Sequence, residues 1–168
     1  TMRTPADIVA AAAALLGFAP TNSIVAYMLR RDSSGGLLIR CAIRFDITVS
    51  TAQAANFPAT CNLRSADNHG AVLLAVCDDI HNRHALAVLD SLRDALTAAE
   101  IPVIHRIMTH DVTAEGQWFD PDTGRRGPTY PYTDSLYSAP SAFSAASESA
   151  TPAPTSKPNS RPSPQRRR

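Results

Sequence analysis

Thr21-Asn22-Ser23 sets two hydroxyls and an amide side by side between two apolar runs, and such a polar turn can offer hydrogen bonds to a ligand. Arg44 and Asp46 stand two apart near the end of another apolar run. On a strand they point the same way, where they can pair together or hold an anionic or polar ligand. Trp118 adds a large aromatic surface with a polar handle. Thr21, Asn22, Ser23, Arg44, Asp46 and Trp118 together make the candidate ligand or interaction surface. Each also has a local explanation. Turn residues satisfy nearby backbone groups, an Arg–Asp pair is ordinary on a surface, and an aromatic segment can cover a sheet edge.

A hydrolase would use Ser23 with an Asp or His brought near by folding. Ser23 lies in no G-x-S-x-G elbow, and none of Cys41, Cys61 and Cys77 sits in an electropositive motif. There is no G-x-G-x-x-G and no phosphate-loop lysine. A metal site would draw on His81 and His84 with Asp78 or Asp79, or on His105, His110 and Asp111. Their spacing matches no established zinc pattern, and carboxylates at a helix start are favoured by the helix dipole alone. The sequence therefore assigns no catalytic residue, metal or cofactor. It favours a non-catalytic domain that binds a small molecule or a protein partner, with a Ser23 hydrolase as the alternative.

Charge is unevenly distributed. The net charge is +1, yet the basic residues Lys157, Arg161, Arg166, Arg167 and Arg168 follow Ser147 against the single acid Glu148, so the preceding body is mildly acidic. An acidic body argues against a dedicated nucleic-acid domain and leaves only weak contact through Arg166–Arg168. Three widely spaced cysteines make neither a disulfide framework nor a metal knuckle, and read as reduced, buried thiols. The apolar run from Ile8 to Phe18 is too short to span a membrane and has Asp7 against it. These features point to a cytoplasmic protein.

The elements that would position these groups are legible. Thr4-Pro5-Ala6-Asp7 starts a helix with Thr4 as N-cap, Ile8, Ala12, Leu15 and Leu16 share a face, and Gly17 can stop it. Ile24 to Arg30 suits a strand, Asp32 to Gly36 a turn, and Leu37 to Asp46 a returning strand, with Leu37, Ile39, Cys41, Ile43 and Phe45 on one face. Ser50 to Gln53 fits a capping box for a second helix that Pro58 bends or ends. Ala71 to Cys77 is a fully apolar strand. The helix carrying Ala85, Val88, Leu89, Leu92 and Leu96 follows, then a β-rich stretch from Ile101 to Met108. Strand, helix, strand in that order predicts a βαβ crossover with parallel strands.

The expected fold is α/β, a single mixed sheet flanked by helices in the order α-β-β-α-β-α-β. The domain runs over 1–138, with 111–138 as a loop-rich wrapping segment rich in Tyr130, Tyr132 and Tyr137. The Ser/Pro/Ala-rich basic tail, 139–168, has too little apolar surface to fold.

Leu15-Leu16-Gly17-Phe18-Ala19-Pro20-Thr21-Asn22-Ser23-Ile24-Val25 resembles the opening signature of the actinobacterial domain of unknown function 4192 family, in which a helix ends in L-G-F-x-P ahead of a hydrophobic strand. Arg44-Phe45-Asp46, Gly116-Gln117-Trp118 and the segment from Gly127 to Ser138 agree with it. The resemblance covers roughly Thr4 to Ala146. It implies a fold and a bacterial source, and no reaction. Many members carry cysteines after the tryptophan, whereas Trp118 to Tyr137 has none, so a cysteine–metal role does not transfer.

Overall fold

In the computed structural model, which describes residues 4–112 and 116–129, the chain builds one mixed sheet. Its strands lie in the order β2 (Leu37–Asp46), β1 (Ser23–Arg31), β3 (Gly70–Val76), β4 (Val103–Thr109), β5 (Gln117–Phe119) and β6 (Arg126–Pro128). Helix α1 (Pro5–Leu16) covers one face, and α2 (Thr51–Ala55), α3 (Phe57–Thr60) and α4 (Asn82–Ala98) cover the other. Tyr130, Tyr132, Tyr137 and the 139–168 tail lie outside the described residues. Among the described residues, no helix is long and apolar enough to cross a membrane.

Local chemistry accounts for the first helix. The Thr4 hydroxyl accepts from Asp7 N at 3.2 Å and the Asp7 carboxylate accepts from Thr4 N at 2.9 Å, closing a capping box around Pro5. Gly17 ends the helix at φ 79°, a conformation that a Cβ resists. Residues Ala6 and Ile8–Ala13 are buried all round, so α1 is a core helix rather than a half-exposed one. Tyr27 joins it to the sheet: fully buried, its hydroxyl donates to Ile8 O at 3.0 Å. Tyr27→Phe is expected to cost about 1 kcal/mol, read as a lower urea midpoint with an unchanged slope.

β1 (Ser23–Arg31) and β2 (Leu37–Asp46) form the expected hairpin, and the Asp32 carboxylate accepts from Ser34 N and Gly36 N in the turn. The alternation expected along β2 does not hold throughout. Arg40 has no partner in the register, because Met28 pairs with Cys41 and Leu29 with Ile39. This β-bulge moves Leu37 and Ile39 to the α1 face, while Cys41, Ile43 and Phe45 pack on the α4 face. Pro58 divides the second helix into α2 and α3, as a residue that tolerates only the first turn of a helix must. Cys61, expected to be buried, is exposed at the end of the short α3; Cys77 is buried and Cys41 half-buried.

β3 (Gly70–Val76) lies antiparallel to β1 and parallel to β4 (Val103–Thr109), with α4 as the crossover between them. The predicted stripe Ala85, Val88, Leu89, Leu92 and Leu96 is buried against β3. In the segment expected to be irregular, Gln117–Phe119 (β5) and Arg126–Pro128 (β6) form a short hairpin that extends the sheet beyond β4. Its turn is closed by Asp120, whose carboxylate accepts from Asp122 N at 2.8 Å and Thr123 N at 3.2 Å. Three-residue strands are too short for periodicity to announce them.

Candidate functional site

The carboxyl ends of β3 and β4 lie side by side, with Val76 paired to Thr109, and the first turn of α4 rises beside them. Open α/β sheets leave their crevices at this end of their parallel strands. Here the crevice is a cleft of about 500 Å³. Met108, Leu86 and Phe119 supply apolar wall, and Trp118 borders it from the short hairpin. Asn82, Arg83, Gln117 and Arg126 supply polar groups.

Asp79 and His110 close one end of this cleft. His110 donates from Nδ1 to the Cys77 carbonyl oxygen at 2.7 Å, and its Nε2 stands 3.2 Å from Asp79 Oδ1. Asn82 Nδ2 donates to the same Asp79 oxygen at 3.1 Å. The carbonyl fixes the ring's orientation with a proton on Nδ1, and the exposed imidazole faces the Asp79 carboxylate at the rim of the cleft. The Cys77 thiol beside them is pushed up to about 11 by burial, with the carboxylates of Asp78 and Asp79 adding to the rise, so it stays protonated and unreactive.

The wall that carries Phe119 and Arg126 is anchored from beneath. Arg106, a charged residue inside β4, is buried, and its guanidinium donates to Asp90 on α4. It also grips Asp122 through two bonds, Nε to Oδ2 at 3.1 Å and Nη2 to Oδ1 at 2.6 Å. These bonds hold the Asp122 carboxyl below its ordinary range and raise the guanidinium further.

The residues singled out from the sequence meet in part. Thr21 and Asn22 are exposed, Asn22 adopts φ 43°, and its carbonyl accepts from Ile47 N at 2.9 Å. Ser23 is buried; its hydroxyl donates to Thr21 O at 2.7 Å and accepts from Arg44 Nε at 2.8 Å. No histidine or carboxylate bonds to it among the described residues. The Arg44 guanidinium also lies over the Phe18 ring, 5.9 Å from its centroid. Phe18 itself is 51% exposed, because the left-handed Gly17 turns it off the end of α1. Asp46 does not bond Arg44: its carboxylate accepts from Thr48 N at 3.0 Å and Thr48 Oγ1 at 2.9 Å, bonds that hold its carboxyl below the usual range. This turn is at the same end of the sheet as the cleft, since Ser23 pairs with Val76, but on the α1 side; of the six residues only Trp118 borders the cleft.

The histidines that suggested a metal are dispersed among separate partners. His81 Nδ1 is 2.5 Å from Asp78 Oδ1, a bond that holds the Asp78 carboxyl below its ordinary range. His84 Nε2 donates to Val49 O at 2.8 Å, tying α4 to the loop before α2. Among the described residues, no group of three or more His, Cys, Asp or Glu side chains stands where it could hold a metal ion. Sequence reasoning passed over Arg83, Gln117, Phe119 and Arg126, which become neighbours only when the short hairpin folds onto β4. Arg106 did carry a signal, as a lone charge within an apolar strand.

No curated protein and no solved structure matches the chain. Residues 5–150 match the family described as Domain of unknown function (DUF4192), and the chain belongs to that family.

Proposed function

We propose that this is a non-catalytic ligand-binding domain whose small-molecule site is the cleft at the carboxyl ends of β3 and β4. One observation carries the reading: a concavity of about 500 Å³ with apolar walls and polar side chains around it, a size and character suited to a metabolite. The Ser23 hydroxyl, committed to Thr21 O and Arg44, supports binding over turnover at the turn. The Thr21–Ser23 turn, Arg44 and Asp46 then brace the end of the sheet, and Trp118 is the member of that set that meets the ligand. The free cysteines support a cytoplasmic setting, and a chain with Lys157 as its sole lysine suits an actinobacterial source.

The test is thermal unfolding of the full chain against a panel of metabolites and nucleotides, because a ligand that binds the native state raises Tm. A shift is expected that survives in Ser23→Ala and disappears in Leu86→Trp, which fills the cleft. Ser23→Ala by itself should cost about 1 kcal/mol of stability through its two lost bonds. A shift lost in Ser23→Ala and kept in Leu86→Trp would move the site to the turn, and a flat panel would count against ligand binding.

A further inference from the structure

Resting on that reading of the cleft, we propose that its ligand is a small organic anion carried on a flat apolar body, its negative group read by Arg83 and Arg126 and its body laid against Phe119 and Met108. The charges around the cleft are not balanced. Asp79 is engaged by His110 and Asn82 through a single oxygen. Arg83 and Arg126 have no ion pair and no hydrogen bond from their side chains among the described residues, whereas Arg44, Arg93 and Arg106 each have a partner. Two unneutralised guanidiniums lining one cleft, Arg83 from α4 and Arg126 from β6, attract an anion and offer it N–H donors. Arg126 is also restrained: its guanidinium lies over the Phe119 ring, 5.0 Å from the centroid. That stacking restrains the charge beside the cleft, and none of its N–H groups is spent on a hydrogen bond among the described residues. Met108, 8% exposed, and the half-buried Phe119 supply an apolar surface that a bare inorganic ion cannot use.

Isothermal titration of the full chain with 2-naphthoate, 2-naphthyl phosphate, the neutral 2-naphthamide and inorganic phosphate separates these contributions. Either or both aromatic anions are expected to bind about tenfold tighter than the amide, and the stronger of the two identifies a carboxylate or a phosphate ligand. Arg83→Gln and Arg126→Gln should each weaken that anion about three- to tenfold and leave the amide unchanged, while Arg30→Gln, on the far end of β1, changes nothing. Equal binding of amide and anions, unaffected by either arginine, overturns the anionic class and leaves the cleft reading standing. Inorganic phosphate binding as tightly as the aromatic anions overturns the apolar body. Failure of all the naphthalene probes overturns the proposal as a whole, and the cleft reading falls with it only if the metabolite panel is flat as well.

Discussion

Replacing Asp90 and Asp122 together by asparagine is expected to lower the unfolding free energy by about 2–3 kcal/mol, because a buried guanidinium loses both of its counter-charges. The Arg106 side chain is only 5% exposed, while both aspartates keep 46% of their surface in solvent. An asparagine oxygen can still accept a hydrogen bond, but it returns no charge. Each single substitution leaves Arg106 one carboxylate and should cost about 1 kcal/mol, so the pair should be worse than the sum of its parts. Urea denaturation of the three variants at neutral pH measures this. A double variant with the wild-type midpoint would show that the triad contributes nothing to stability.

The same bonds set a pH dependence. Arg106 depresses the folded-state Asp122 carboxyl below its ordinary value of 3.8, so folding favours the ionised form. That contribution is complete above pH 3.8 and is lost as the pH falls through the lower folded-state value. Wild-type stability should therefore fall in that acid window more steeply than the stability of Asp122→Asn. Because Asp122 sits in the β5–β6 turn, the loss loosens the wall that carries Phe119 and Arg126, and ligand affinity should decline with it.

Gly127→Ala is expected to cost about 1–3 kcal/mol and to displace the Trp118 indole. The two residues are paired across β5 and β6. A Cβ at position 127 would stand 2.6 Å from Trp118 Cζ2 and 2.7 Å from both Cε2 and Nε1. The ring cannot retreat without disturbing the α1-side core, since Trp118 is 7% exposed and packs in that cluster. It is the only tryptophan in the chain, so its emission reports the displacement directly. A shift to longer wavelength should accompany the lost stability. In a Trp118→Leu background the same glycine substitution should cost much less, because the clashing ring is gone. Unchanged emission and stability in Gly127→Ala would mean that the indole does not occupy this position.

What the sequence by itself determined are the features that depend on neighbours along the chain. The Thr4–Asp7 capping box, the Gly17 stop, the Asp32 turn, the break at Pro58 and the buried stripe of α4 are local or periodic, and each is written in residue type and spacing. So is the βαβ crossover, because an apolar strand on either side of an amphipathic helix has few ways to bury its surface. Only the tertiary structure decided the bulge at Arg40, the pairing of β5 and β6 with β4, and the cleft. A bulge shifts faces without leaving a break in the alternation, and two three-residue strands carry no period. Ser23 attracted notice because its polar neighbours were adjacent in sequence, yet its hydroxyl is committed within the turn and to Arg44. Arg83 and Arg126 reach one cleft from distant parts of the chain. Residue spacing records neighbours in the chain, whereas a binding cleft is made by neighbours in space.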